Sequence, residues 1–277
     1  MMIRVVGYLA VGAVLGITFI LPVLADGVQQ FVRYQAGDGA YYGQLIGDEV
    51  HQLSAPPYEG VEKTGKVVNL TNVTLLPPSE PKNVIAVGLN FRSHAGMSGA
   101  AAPALFFKSY SSLIGHEAPI RIPKDAGQPH YEGEMVLVIG KRAKNVSAAN
   151  AGNYIFGVTA GNDVSERSWQ SSDLQWLRAK ASDTFGPVGP ILVRGLNFND
   201  LLLETKVNGE VVQSERTDHL IHSAAQIVSF TSRYITLYPG DLIFTGTPGS
   251  TRGLKAGDVV EITLEGVGTL RNPVLRD

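Results

Sequence analysis

Apolar and polar positions in this chain change over in short runs. Val136-Leu137-Val138-Ile139 is a continuous apolar run and predicts a buried strand. Gly157-Val158-Thr159-Ala160 is a second strand-like run. Phe31-Val32-Arg33-Tyr34 and Tyr41 to Ile46 carry strand signals on either side of a Gly37-Asp38-Gly39 turn. Asp258 to Glu265 alternates like a half-buried strand. Val207-Asn208-Gly209-Glu210 predicts a type I′ hairpin, and Tyr238-Pro239-Gly240-Asp241 a type II turn. Helical periodicity is confined to three segments, around Ala148 to Asn153, Ser165 to Leu177 and Ser223 to Arg233. In the last, Ala224, Ile227, Val228 and Thr231 fall on one face. The expected fold is α+β and mainly β.

The pattern also divides the chain. After Met1-Met2-Ile3-Arg4, residues Val5 to Ala25 carry no charge. Val23-Leu24-Ala25 before Asp26 fits a signal-peptidase site, so residues 1–25 are expected to be a signal peptide, with an uncleaved membrane anchor as the alternative. Arg4 on the N-terminal side places the remainder outside the cytoplasm in either case. The expectation is therefore an exported, periplasmic protein, touching a membrane only through residues 5–25 if they are retained. Residues 26–76 read as a small N-terminal β-rich domain, 77–82 (Pro77-Pro78-Ser79-Glu80-Pro81 and Lys82) as a linker, and 83–277 as the large domain.

Composition adds little. There are no cysteines, which an oxidising compartment tolerates, and about 250 mature residues bury a substantial core without disulfides. The formal net charge is −2, and losing Arg4 makes it −3. Neither value points to nucleic acid as a partner.

Chemistry enters at His130-Tyr131-Glu132-Gly133-Glu134-Met135. In a strand, residues two apart project to the same face. Glu132 and Glu134 would then stand side by side at the edge of a core, where two carboxylates repel unless a proton or cation lies between them. Asp163, at the end of the second apolar run, offers a third carboxylate. Three oxygen ligands suit Mg²⁺ better than Zn²⁺, which prefers nitrogen and sulfur.

The order of segments resembles the catalytic domain of the fumarylacetoacetate hydrolase (FAH) family. Gly88-Leu89-Asn90-Phe91-Arg92-Ser93-His94-Ala95 resembles its G-x-N-Y-x-x-H-A opening, and Phe106-Phe107-Lys108 its F-x-K block. Tyr131 to Met135 resembles Y-E-x-E-L, Asn162 to Gln170 resembles N-D-x-S-x-R-x-x-Q, and Lys180 to Pro190 resembles K-x-x-D-x-x-x-P-x-G-P. Further blocks match at Val207 to Gln213, Gly240 to Pro248, Lys255 to Asp258 and Gly266 to Asn272. Each block is weak, but their ordered sum from about Asn83 to Asn272 is specific.

The resemblance implies a mixed β-sandwich roll, often a homodimer, with a divalent metal (Mg²⁺ or Mn²⁺) and a small 2-oxo or 1,3-dicarbonyl acid as substrate. By position it places Glu132, Glu134 and Asp163 on the metal ligands. His94 falls on the histidine that acts on water or substrate, and Lys180 and Gln170 join it as catalytic positions. Lys108, Arg167 and Thr247 fall on substrate-binding positions, with Lys108 expected to meet a substrate carboxylate. Hydrolysis of a C–C bond is the leading expectation. Decarboxylation or isomerisation is the alternative, as is a non-catalytic binding relative.

Three departures bear on this. Many hydrolytic members carry Glu three residues after the histidine; here it is Met97, which accepts a ring N–H only weakly. Phe91 stands where the pattern has Tyr, and His130 where Asp is frequent.

Overall fold

The computed structural model describes residues 27–37, 39–96, 99 and 101–277. The signal-peptide expectation for residues 1–25 and the Met97 departure lie outside them. Two sheets dominate. The large one has twelve strands, ten of them in the order Lys63–Asn69, Glu49–Leu53, Gly39–Ile46, Gln29–Ala36, Gly186–Arg194, Ile155–Asn162, Gly133–Ile139, Leu242–Phe244, Val84–Gly88 and Ala104–Lys108. Leu242–Phe244 and Val84–Gly88 run parallel, while the pairs flanking them are antiparallel, so the sheet is mixed. The second sheet runs Glu210–Arg216, Leu202–Val207, Val259–Leu264, Gly268–Arg276, Ile120–Ile122. The architecture is the mainly β, α+β fold that the pattern predicts.

The N-terminal strands share the large sheet. Gln29–Ala36 pairs antiparallel with Gly186–Arg194, with Gln30 opposite Val193 and Phe31 opposite Leu192. Local turns behave as their residues require. Asn208 and Gly209 both have positive φ (53° and 82°), as a type I′ turn demands, and Gly240 has φ 87°. The helix Ala224–Tyr234 starts at a Ser223–Gln226 capping box and buries Ala224, Ile227, Val228 and Thr231. The segment expected as one helix over Ser165 to Leu177 is instead two short ones, Arg167–Ser172 and Leu177–Ala181. Ser171-Ser172-Asp173 favours turns over helix interior, and the Asp173 amide closes the first helix on Trp169 O.

The strand Gly133–Ile139 is buried along its whole length. Its odd positions, Met135, Leu137 and Ile139, pack in one core with Leu203, Ile262 and Leu264 of the second sheet. Val136 and Val138 pack on the other face with Val84, Ala86, Leu242 and Phe244. The period of two then sets Glu132 and Glu134 on this second face. Gly133, between them, lies so close to the second sheet that a Cβ would stand 2.0 Å from Thr205 Oγ1.

Candidate active site

Backbone pairing past the end of the strand fixes the carboxylates. The Asp163 amide donates to Glu132 O at 2.9 Å, and His130 and Ser165 exchange two hydrogen bonds, at 2.8 and 3.0 Å. The two strands thus continue their ladder beyond their ends, through Glu132 and Asp163. Asn162 Oδ1 accepts the Glu132 amide at 2.9 Å. Glu134 Oε2 accepts the Gly246 amide at 2.6 Å. Gly246 has φ 110°, a backbone that an L side chain rarely adopts, and a Cβ there would stand 2.7 Å from Asn90 Cβ. Asn90 in turn clamps this loop, donating to Thr245 O at 2.7 Å and to His222 O at 3.0 Å.

Glu132, Glu134 and Asp163 are all buried, and one oxygen from each lies within 4.8 Å of the others. Lysines and an arginine surround two of the three. Lys180 Nζ donates to Glu132 Oε2 at 2.6 Å and to Asp163 Oδ2 at 2.7 Å. Lys108 Nζ donates to Asp163 Oδ1 at 2.6 Å, and Arg167 pairs with Glu132 Oε1. Glu134 makes no such ion pair among the described residues.

This asymmetry drives the acidities apart. Burial raises the Glu132 carboxyl, but chiefly Lys180 and Arg167 outweigh it and hold it down at about 2. Burial raises Glu134 as well, and the charges of Asp163 and Glu132 push it further, well above the ordinary carboxylate range. Burial lowers Lys180, but Asp163 and Glu132 raise it overall. Lys108 is lowered by burial, which its contact with Asp163 only partly offsets.

A cavity of about 410 Å³ opens over this cluster. His94, Glu132, Glu134, Arg167, Gln170, Lys180 and Thr247 line it, together with His130, Thr251 and an apolar wall of Val87, Leu89 and Trp176. Arg167 and Gln170 share one turn of helix, and Arg167 donates to Gln170 Oε1 at 2.8 Å. Thr247 Oγ1 accepts from Gln213 at 2.8 Å. His94 Nε2 lies 3.8 Å from Glu132 Oε1, while Nδ1 meets Gly249 O at 2.6 Å.

Lys108 is placed differently from the other expected residues. Its ammonium is fully buried behind Asp163, bonds the Lys180 carbonyl as well, and does not line the cavity. It meets a carboxylate of the chain where a substrate carboxylate was expected. Sequence reasoning did not single out Thr251, which accepts from Arg167 at 2.9 Å and contacts His130 Nδ1 at 2.9 Å. Nor did it single out the loop amide of Gly246 or the carbonyl of Gly249. The glycines of Gly246-Thr247-Pro248-Gly249 were the available signal.

The donor set suits a hard divalent cation. Three buried carboxylates without a neutral nitrogen or sulfur ligand among them, one raised well above the ordinary carboxylate range by burial and by its two neighbours, form an arrangement that a bound cation would relieve.

Comparison with known proteins agrees with this geometry. The family model "Fumarylacetoacetate (FAA) hydrolase C-terminal" matches residues 83–275, and "Rv2993c-like, N-terminal" matches residues 30–78. The protein Rv2993c of Mycobacterium tuberculosis is 42% identical over 257 residues, covering 88% of this chain and 97% of the relative. The mitochondrial oxaloacetate tautomerase fahd2 of Xenopus laevis is 36% identical over 225 residues, 76% of this chain and 70% of the relative. A solved structure described as 5-carboxymethyl-2-hydroxymuconate delta-isomerase from Mycobacterium smegmatis superposes with a TM-score of 0.85 at 42% identity, covering 90% of this chain and 100% of the other.

Proposed function

Because this chain belongs to the fumarylacetoacetate hydrolase family, we propose that it is a divalent-metal-dependent enzyme that shifts a proton within a small 2-oxo or 1,3-dicarbonyl acid. The observation that carries the reading is the buried carboxylate triad, of which Glu132 and Glu134 line a cavity shared with the rings of His94 and His130. Glu132, Glu134 and Asp163 would hold Mg²⁺ or Mn²⁺. When bound, such an ion supplies Lewis-acid polarisation of a carbonyl.

The chain's own groups do the rest. His94 Nε2 takes the proton from the carbon beside the 2-oxo group and returns it at the other end of the shift. Lys180, positively charged and in the cavity wall, lies where negative charge on the substrate oxygens would be stabilised. Arg167 and Gln170 present a cation and an amide for a substrate carboxylate. Val87, Leu89 and Trp176 give the cavity an apolar part that sheds water. The names of the tautomerase and isomerase relatives support the proton shift over the C–C hydrolysis that led the sequence reading. Hydrolysis is the second reading, favoured by Gln170, whose amide in the cavity wall could orient a water.

The test is a panel of oxaloacetate and acylpyruvates with the full-length chain, with and without Mg²⁺ or Mn²⁺, and with Glu132→Gln as control. Metal-dependent decay of enol absorbance with the carbon skeleton intact supports the proton shift. Cleavage products support hydrolysis. Metal binding without turnover of any compound favours a binding relative.

A further inference from the structure

The His94 ring is oriented by a backbone carbonyl. Its Nδ1 lies 2.6 Å from Gly249 O. A carbonyl oxygen only accepts, so the proton of this bond belongs to Nδ1. A neutral imidazole then carries its free lone pair on Nε2, the nitrogen on the Glu132 side of the cavity. The amide of the same residue is gripped as well. Gly249 N–H donates to Ser93 Oγ at 2.9 Å, and the Ser93 hydroxyl donates to Glu215 Oε2. Glu215 Oε1 lies 3.0 Å from His219 Nδ1. Ser93 and His94 are adjacent in the turn Arg92–Ala95, so two successive side chains hold the N–H and the C=O of Gly249. Gly249 has φ 60° with open space around it, so glycine is needed there for the backbone and not for room.

We propose that Ser93 and Glu215 are positioning residues that act through the Gly249 backbone to lock His94 in its Nδ1–H form, leaving Nε2 able to take a proton. The inference rests on the reading of His94 as the proton-transfer group. Ser93 has a single hydroxyl proton, and a carboxylate can only accept it. Glu215 takes the hydroxyl proton and so holds a lone pair of Ser93 Oγ on the Gly249 amide, which fixes the peptide before Gly249; the carbonyl of the following peptide, set by the Gly249 φ of 60°, then meets the imidazole. A carboxylate side chain is the usual partner of a catalytic histidine's second nitrogen, and Met97 cannot supply one. The Gly249 carbonyl fills that part in this chain.

The test is long-range ¹H–¹⁵N spectroscopy of the imidazole rings in the ¹⁵N-labelled full-length protein near neutral pH. The His94 signals are those absent from His94→Gln. The expected result is a protonated Nδ1 and an unprotonated Nε2 in the wild type. Ser93→Ala and Glu215→Ala should move both shifts toward the average of the two tautomers, and Ser93→Thr, which keeps the hydroxyl, should retain the wild-type pair. On a substrate that turns over, Ser93→Ala should lower kcat about tenfold with KM little changed, and Ser93→Thr should restore it. A wild-type His94 protonated on Nε2, or unchanged shifts in both alanine variants, overturns the proposal. Because the tautomer is read without substrate, absence of turnover counts against the proton-transfer reading alone.

Discussion

Glu132 and Glu134 share one strand face and one cavity, yet their charges are balanced oppositely. Glu132 is met by Lys180 and Arg167, whereas Glu134 is met by a single amide, that of Gly246 at 2.6 Å, and by two neighbouring carboxylates. A site that balances two acids internally and leaves the third to a cation should respond with opposite signs in the two states. Glu134→Gln keeps an oxygen for the Gly246 amide but removes the excess charge. Without metal it should therefore raise the melting temperature by a few degrees, since about 1 kcal/mol is worth about 2–4 °C in a chain of this size. With Mn²⁺ it should lose the stabilisation that the wild type gains. Thermal melts of both proteins with and without the ion check this; a lower apo melting temperature in Glu134→Gln would contradict the charge argument.

Lys108 and Asp163 form the most enclosed ion pair of the site, 2.6 Å apart with the lysine side chain fully buried. Removing one partner of a buried pair leaves the other uncompensated. Lys108→Met should cost about 3–5 kcal/mol. Because the ammonium does not face the cavity, KM of the protein that remains folded should change little. Denaturant unfolding and steady-state kinetics separate the two effects, and a raised KM at intact stability would return Lys108 to a substrate-binding role.

The Lys108 result marks where the sequence stops being readable. The strand at Val136 to Ile139, the hairpin at Asn208-Gly209 and the apolar face of the helix at Ala224 follow from local periodicity and turn chemistry. The shared face of Glu132 and Glu134 follows from the period of two. Whether a lysine meets a substrate or an internal carboxylate depends on which strands become neighbours, and Ala104–Lys108 lies 55 residues from Asp163 in the chain. The union of Gln29–Ala36 with Gly186–Arg194 is likewise non-local and leaves no mark in either segment. The carbonyl of Gly249 and the amide of Gly246 carry no side-chain signal at all. Their glycines show where the backbone is unusual, but not what it binds.

Gly133 is a steric requirement of the site. A Cβ there would meet Thr205 Oγ1 at 2.0 Å, and with that oxygen gone the nearest atoms are Gln213 Oε1 at 3.3 Å and Thr205 Cβ at 3.4 Å. Gly133→Ala should destabilise by about 1–3 kcal/mol through overpacking and displace both flanking glutamates, weakening metal binding. Combining it with Thr205→Ala should recover most of the loss. A double-mutant cycle in denaturant measures this coupling, and additive single effects would show that the strand had relaxed by another route.

His116 supplies the acid sensitivity remote from the carboxylate cluster. Its Nδ1 accepts the Arg271 amide at 3.1 Å, so the folded chain holds that nitrogen unprotonated. Burial lowers its pKa, the charge of Arg271 adds to this, and Glu117, whose Oε1 is 3.6 Å from Nε2, opposes it without reversing the direction. In the unfolded chain the imidazole titrates near about 6.5. The folded value being the lower, the unfolded state binds more protons between the two. Stability from this residue is therefore complete above about pH 6.5 and is lost as pH falls toward the folded value, with a slope of at most about 1.4 kcal/mol per pH unit. His130 is lowered in the same direction by burial and by Arg167, whereas the raised Glu134 has the opposite sign and loses stability as pH rises. The contribution of His116 is isolated by the difference between wild type and His116→Gln, whose side-chain oxygen can still accept the Arg271 amide. That difference, measured by urea unfolding from pH 7.5 to 5.5, should be flat in the upper part of the range and shift against the wild type in the lower part. A difference that stays constant across the whole range would mean that His116 is as easily protonated in the fold as outside it.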